Sequence, residues 1–118
     1  MTGIDAPPVD AGSRSEGRAR VTISRTDGSD VQQRQIYARI DDGPSHTLIF
    51  GDSVTLDVPA GEHRLRANNT LFWKTVTFTA AAGQHIEFAL INQAGVLGLG
   101  LLALLGVAPL TLAIERRD

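Results

Sequence analysis

The chain has 118 residues, enough for one compact domain with an appendage, and its 42% of hydrophobic and 20% of charged residues are ordinary for a folded protein. A formal net charge of −2 gives no broad basic field, so no nucleic acid is expected as a partner. The absence of cysteine excludes disulfides, thiolate nucleophiles and cysteine-ligated metals.

Residues 1–19 are rich in Pro, Gly, Ser, Asp and Arg and show no apolar periodicity. A segment of this composition buries too little apolar surface to fold, so a disordered N-terminal segment is predicted. It also lacks the run of seven or more apolar residues that a secretory signal peptide needs.

Residues 20–92 are predicted to form a β-sandwich domain, because short runs of β-branched and aromatic residues alternate with turn formers. Within several runs the apolar side chains recur at every second residue, which is the period of a half-buried strand. The predicted strands are 21–25, 34–41, 46–50, 53–58, 62–67, 71–79 and 84–91. The fold class is therefore all-β, a small antiparallel seven-stranded sandwich of immunoglobulin-like type.

The stretch Pro59-Ala60-Gly61 is predicted to be the turn of a β-hairpin. Proline presets φ at the first corner, and glycine accepts the positive φ that closes a hairpin with a bulge. This turn would pair the strands predicted on either side of it.

The run 71–79 contains a conflict of parity. Leu71 and Trp73 fall on one face of a regular strand, whereas Val76 and Phe78 fall on the other. A bulge near Lys74 is predicted, since it would turn all four apolar side chains inward.

The C-terminal quarter of the chain contains a long apolar segment, 94–114, with 21 residues, eight leucines and no charge. As a helix it would measure about 31 Å, close to the roughly 30 Å hydrocarbon core of a bilayer. One transmembrane helix over 93–114 is predicted, followed by a short charged tail, 115–118. The alternative is a hydrophobic hairpin or strand pair added to the core of the domain. The residues expected to anchor the helix in the bilayer are Leu97, Leu99, Leu101, Leu102, Leu104 and Leu105.

Small residues recur on one side of the predicted helix, at Ala94, Gly98 and Gly106. Such spacing lets two helix backbones approach closely, which favours a helix–helix contact and a homo-oligomer. The alternative is that these glycines are simply scattered through an apolar segment.

Two rules conflict over the orientation of a membrane span. Arg116 and Arg117 follow it, which by the positive-inside rule would place the C-terminus in the cytoplasm. No signal peptide is seen that would export the domain before it. We expect a single-pass, tail-anchored protein whose β domain faces the cytoplasm.

Candidate catalytic and metal-binding patterns are weak. The three histidines, His46, His63 and His85, have no metal-ligand spacing, although two could converge across strands. Asp41-Asp42 precedes Gly-Pro and is better explained as part of a turn. Ser45 beside His46 lacks the surroundings of a catalytic serine. No enzyme activity, metal or cofactor is expected.

Arg64, Arg66 and Trp73 are the candidate contacts to lipid headgroups or to a partner. The two arginines share one face of a predicted strand, and a basic side chain near an anionic surface favours binding. The alternative is a solvated strand face, with Trp73 in the core of the sandwich.

The run DSVTLDVPAGEHRLRA resembles PEGA-type β-sandwich repeats of bacteria, in which a strand ends in Pro-x-Gly-Glu-His and another follows at once. The wider chain, about 34–117, is similar to short uncharacterised bacterial proteins with a hydrophobic C-terminus. The resemblance implies a non-enzymatic, PEGA-like module and indicates no ligand.

Two functions are expected from these features. The first is a membrane-anchored, non-enzymatic binding or scaffold module that presents its sandwich to a protein partner of unknown identity. The alternative is a lipid- or envelope-associated structural protein that self-associates through the glycine-containing helix.

Overall fold

The computed structural model describes residues 17–94 and 110–118. The described chain forms a two-sheet β-sandwich. Sheet A has the strand order β4-β1-β7-β8, and sheet B has the order β3-β2-β5-β6. The strands are β1 (Arg18–Ser24), β2 (Ile36–Ile40), β3 (His46–Leu48), β4 (Ser53–Pro59), β5 (Gly61–Asn68), β6 (Trp73–Ala80), β7 (His85–Ala94) and β8 (Leu110–Arg116).

The all-β prediction is confirmed for the described residues, and each of the seven predicted strands is present with shifted ends. β1 begins at Arg18, so the N-terminal segment predicted as disordered over 1–19 is too long at its C-terminal end; residues 1–16 lie outside the described part. The alternation of apolar residues produces the core, because inward side chains from both sheets meet between them. At its centre Phe78 of sheet B packs edge-on against Phe88 of sheet A, with ring centroids 5.1 Å apart.

The sandwich is not wholly antiparallel as predicted. β1 and β7 run parallel in the middle of sheet A, from Arg20 opposite His85 to Ser24 opposite Ala89. Every other pair of neighbouring strands in the described sheets is antiparallel. Period-two alternation identifies a strand but carries no information about its neighbour, and so β1 and β7 could not be paired from sequence.

The transmembrane helix predicted over 93–114 is wrong at both ends. Ala94 lies in β7, and 110–114 lie in β8, which pairs antiparallel with β7 from Phe88 opposite Arg116 to Ala94 opposite Leu110. The physical reason is that β7 offers a free edge and that Leu112 and Ile114 alternate toward the core. At these residues the structure has the strand pair that was given as the alternative to the helix.

The remaining predicted anchor and contact residues, Leu97 to Leu105 together with Gly98 and Gly106, fall in 95–109 and lie outside the described residues. Residues 17–94 and 110–118 contain no helix that is long and apolar enough to cross a membrane.

The charged tail is part of the domain. Arg117 donates its backbone N–H to the Glu87 carbonyl at 2.8 Å, and its guanidinium lies 2.6 Å from Asp27 and 2.7 Å from Glu115. Residues 110–118 therefore belong to the same body as 17–94.

Pro59 and Gly61 form a turn but not a hairpin. β4 pairs with β1 in sheet A, whereas β5 pairs with β2 and β6 in sheet B, so the turn carries the chain from one sheet to the other. Gly61 has a φ of 133°, and Ala60 donates its N–H to Gly17 at 2.8 Å. A turn sequence shows that the chain reverses, but the side on which β4 pairs is decided by β1.

The bulge predicted near Lys74 is also absent. β5 and β6 pair without interruption from Gly61 opposite Ala80 to Asn68 opposite Trp73. Val76 and Phe78 set the phase of β6, so Trp73 points to the outer face and its side chain is 70% exposed. The apolar residues of this run therefore do not all face inward: Trp73 is exposed, and the strand has no bulge.

The two ends of the sandwich differ in their connections. At the apical end β1, β3, β5 and β7 finish and β2, β4, β6 and β8 begin; the opposite end is the basal end. Because Ala94 pairs with Leu110, the connection 95–109 leaves and re-enters the domain at the apical end. Its sequence contains no charged residue.

Candidate functional site

The apical end carries the exposed apolar surface of the domain. Four large hydrophobic side chains are exposed in the described chain, and all four lie at this end: Ile49 (55%), Leu71 (50%), Phe72 (44%) and Trp73 (70%). Three of them are consecutive where the connection between β5 and β6 meets the first residue of β6; we call residues 69–73 the apical loop. Clustered exposure of this kind marks an interaction surface.

The apical loop is held in one conformation by Asn69, which is fully buried. Its side-chain oxygen accepts the N–H groups of Leu71 (3.0 Å) and Phe72 (2.7 Å), and its backbone N–H bonds the Phe72 carbonyl. Its side-chain amide donates to Asn92 Oδ1 on β7 at 3.0 Å. Thr70 takes a φ of 71°. The exposed apolar residues therefore stand on a rigid base.

That base continues into a buried ion pair at the apical end. Arg25 is fully buried and donates five hydrogen bonds. Two reach the carboxylate of Asp30, at 3.0 and 3.1 Å. The others reach the backbone carbonyls of Gln33 (2.9 Å), Arg34 (2.6 Å) and Leu48 (3.0 Å). All five donors of the guanidinium fork are used, as a buried arginine requires.

Asp30 joins this pair to β7. Its carboxylate also accepts the N–H groups of Gln32 (2.7 Å) and Asn92 (3.2 Å). Burial raises the pKa of Asp30, but the hydrogen bonds from Arg25 and the two backbone N–H groups outweigh it, so the pKa lies below its ordinary value. Asp30 is thus held as a carboxylate, and one continuous polar network fixes the apical end.

Arg34 supports the apical loop from the side. Its Nε donates to the Asn69 carbonyl at 3.2 Å and its Nη2 to Thr70 Oγ1 at 2.8 Å. These residues and Tyr37 line a shallow polar cleft of about 280 Å³ beside the loop. The apolar loop therefore has a basic, hydroxyl-rich flank.

The structure brings the three predicted contact residues Arg64, Arg66 and Trp73 onto one surface, the outer face of sheet B. Arg64 and Arg66 are outward residues of β5, and Trp73 lies opposite Asn68, the next outward residue of that strand. The sequence placed the arginines correctly. The core position of Trp73, given as the alternative and implied by the bulge predicted near Lys74, is wrong.

Arg39 of β2 joins this surface, directly opposite Arg66. The outer face thus presents two arginines side by side and a third, Arg64, on the same strand as Arg66. The alternation of apolar residues in 34–41 puts Arg39 on the face opposite Ile36, Ala38 and Ile40. Its neighbour could not be predicted, because the register between β2 and β5 is not determined by either strand alone.

A second feature is a cleft at the basal end, which we call the histidine cleft. It has a volume of about 340 Å³ and lies between the edge strands β3 and β4. Its walls are mainly apolar, with Ile40, Leu56 and Val58 among them, and it also contains His46 and His63. Across the described chain, no three His, Asp or Glu side chains are placed to hold a metal ion.

His63 is bonded on both ring nitrogens to acceptors. Nδ1 lies 2.6 Å from an Asp41 carboxylate oxygen, and Nε2 lies 2.6 Å from the Pro59 carbonyl. A carbonyl and a carboxylate can only accept, so both nitrogens donate and the imidazolium is the satisfied form. Asp41 was interpreted from sequence as a turn residue; its partner His63 lies 22 residues away and is supplied by the pairing of β2 with β5.

The pKa shifts agree with this geometry. Burial lowers the pKa of His63, but the hydrogen bonds to Asp41 and Pro59 outweigh it and raise the pKa above 6.5. The hydrogen bond from His63 is the main cause that lowers the pKa of Asp41. With its two nitrogens occupied, His63 offers no free base for catalysis.

This pair predicts a pH dependence of stability. A raised histidine pKa contributes stability that is fully present below 6.5 and is lost as the pH rises through the folded-state value; the lowered pKa of Asp41 contributes above 3.8 and is lost as the pH falls. Asp41→Asn should therefore cost about 1 kcal/mol at pH 5.5, since Asp41 is partly exposed. The cost should shrink toward pH 9. Urea unfolding at both pH values measures it.

Asp42→Asn provides the control for that experiment, since the Asp42 side chain is 91% exposed and pairs with Arg39 only at 3.9 Å. It should change stability little at either pH. An equal cost for Asp41→Asn at pH 5.5 and pH 9 would contradict the charged pair.

Comparison of the chain with protein-family models, with curated proteins and with solved structures found no match. The class that the geometry defines is a two-sheet β-sandwich, and the resemblance to PEGA-type repeats stays a prediction.

Proposed function

We propose that the protein is a membrane-associated, non-enzymatic β-sandwich module that docks to a bilayer through its apical end. The observation that carries this proposal is the placement of Ile49, Leu71, Phe72 and Trp73, the exposed large hydrophobic side chains of the described chain, at that one end. Burying such side chains in the interfacial region of a membrane removes their apolar surface from water.

The rigid base of the apical loop supports the proposal. An apolar side chain that is exposed in water costs free energy, and a flexible loop would fold its side chains against the domain. In this protein the Asn69 side-chain oxygen accepts the N–H groups of Leu71 and Phe72, and this holds the two apolar side chains exposed. Trp73 adds an indole, which is enriched at membrane–water interfaces because one part is apolar and its N–H is polar.

The sequence of the connection 95–109 also supports docking through the apical end. This connection has no charged residue, and its two ends, at Ala94 and Leu110, are paired at the apical end. A chain that leaves and returns at one place fits a module seated on a membrane better than one that passes through it once. Membrane association is thus proposed in a different form from a tail anchor.

Vesicle binding of a loop variant tests the proposal. Leu71→Ser, Phe72→Ser and Trp73→Ser combined should lower the partition of the full chain onto phospholipid vesicles about 100-fold, since each side chain loses roughly 1 kcal/mol of burial. Flotation of vesicles with the bound protein measures the partition.

The matched control replaces three exposed residues further along the same strand, Thr75→Ser, Thr77→Ser and Thr79→Ser, which should leave the partition within about twofold of the natural chain. Equal binding by the loop variant and the natural chain would contradict docking through the apical loop.

Binding of a protein partner is a second candidate function, favoured by the histidine cleft. β6 and β8 lie close together and close one side of the sandwich, whereas β3 and β4 leave the cleft between them open. A partner strand could pair with the free edge of β4 and place a side chain beside Leu56. A photo-crosslinker at position 56 should trap such a partner and one at position 75 should not; equal trapping would contradict it.

A further inference from the structure

We infer that Arg39 and Arg66, on the outer face of sheet B, bind the phosphates of anionic lipid headgroups while the apical loop enters the bilayer. This inference rests on the proposed membrane docking and adds a lipid class to it. Four observations on this face carry it.

The first observation is an unfavourable pairing of charges. Arg39 and Arg66 stand directly opposite each other in the register of β2 and β5. Side chains in this relation have Cβ atoms about 5 Å apart, and like charges placed so destabilise a sheet. An anion held between the two guanidinium groups would remove that repulsion and accept hydrogen bonds from both.

The second observation is that these arginines lack strong partners within the described chain. Arg39 approaches Asp42 only at 3.9 Å, and its Nε is buried without a hydrogen bond to any described residue. The Arg66 side chain makes no hydrogen bond or ion pair with the described residues. By contrast Arg25 uses all its donors and Arg117 binds two carboxylates. The Arg66 guanidinium and the exposed part of the Arg39 side chain, which is 40% exposed, are therefore available to a ligand.

The third observation is the distance of this pair from the apical loop. The outward row that contains Trp73 is Tyr37, Asn68 and Trp73, and the next row toward the basal end is Arg39, Arg66 and Thr75. Two residues along a strand span about 7 Å. The headgroup region of a bilayer is roughly 6 Å deep on each side. With Trp73 at the interface, the arginine pair reaches the depth of the phosphates.

The fourth observation is the distribution of charge along the face. The carboxylates near this face, Asp41, Asp42 and Glu62, lie toward the basal end. The part nearer the apical loop has Arg34, Arg39 and Arg66 instead. This gradient points the basic half of the face toward the membrane. It favours a lipid surface over an acidic protein segment, since a protein ligand would not require the arginines to adjoin the exposed Trp73.

Vesicle composition tests the inference. The full chain should bind vesicles with 30 mol% phosphatidylglycerol more tightly than pure phosphatidylcholine vesicles. Arg39→Gln and Arg66→Gln should each weaken binding to the anionic vesicles about fivefold, and the double variant about 25-fold. Binding to the neutral vesicles should not change. The double variant should be at least as stable in thermal unfolding as the natural chain, because a like-charge pair is removed.

Arg20→Gln is the matched control. Arg20 is more exposed than Arg39 and Arg66 but lies on the outer face of sheet A, opposite Asp57. It should lower binding to the anionic vesicles less than twofold. Equal losses from Arg20→Gln and Arg66→Gln, or equal binding of the natural chain to both vesicles, would overturn the headgroup site and leave loop docking standing. No binding to either vesicle would overturn the proposed function itself.

Discussion

Arg25→Met is expected to lower the free energy of unfolding by about 3–5 kcal/mol, which is a large fraction of the total stability of a domain of this size. The variant leaves the Asp30 carboxylate buried without its main partner, and it leaves three backbone carbonyls without the donors they now have. Burying an unpaired charge is among the most destabilising single changes known in proteins. Urea unfolding followed by circular dichroism measures the loss.

Arg116→Gln is the control, because Arg116 pairs with Asp118 at the surface and such pairs contribute little to stability. The double variant Arg25→Met with Asp30→Leu should recover part of the loss, since it removes both buried charges together. A loss below about 1 kcal/mol for Arg25→Met would show that the ion pair does not hold the apical end.

Asn69→Ala is expected to cost about 2–3 kcal/mol and to weaken vesicle binding about tenfold in the fraction that remains folded. The variant removes the acceptor for the N–H groups of Leu71 and Phe72 and the donor to Asn92. The apical loop then loses the one conformation that presents its apolar side chains together. Unfolding and vesicle flotation at a temperature where the variant is folded measure the two effects.

Asn68→Ala is its neighbour control. Asn68 accepts only the N–H of Thr70 among the contacts of its side chain with described residues. We expect a cost of about 1 kcal/mol or less and unchanged vesicle binding. If both variants bind vesicles equally, the geometry of the loop does not matter for docking.

The sheet core could be predicted from the sequence because it is a local pattern. Ile36, Ala38 and Ile40 alternate in β2, and Ile86, Phe88 and Leu90 alternate in β7; all six are buried. Strand neighbours could not be predicted, since pairing depends on which edges are free after the other strands have formed. That is why β8 was interpreted as part of a helix and why the turn at Pro59 was interpreted as a hairpin.

The candidate site was visible only in part. The arginines of β5 could be placed on one face from their spacing alone, whereas the exposure of Trp73 depended on the phase that Phe78 imposes on β6. The buried network could not be found, because Arg25 and Asp30 lie in a polar connection that looks like any surface loop. Their burial is a product of β7 passing beside that connection.

The apical loop and the arginines on the outer face of sheet B would have different roles in membrane docking. The apolar loop would supply membrane affinity, and the arginines behind it would select the lipid. The buried network from Arg25 to Asn69 would make no contact with the lipid. It keeps the loop and the outer face of sheet B in fixed relation to each other.

The most direct test of membrane docking is the fluorescence of Trp73, the single tryptophan of the chain. Its 70% exposure in the free protein predicts emission typical of an indole in water and strong quenching by acrylamide. On adding anionic vesicles, insertion of the apical loop should produce a blue shift of the Trp73 emission and protection from acrylamide, with quenching by lipids brominated near the headgroup. Vesicle-bound protein whose Trp73 emission and acrylamide quenching stay unchanged would contradict docking through the apical end.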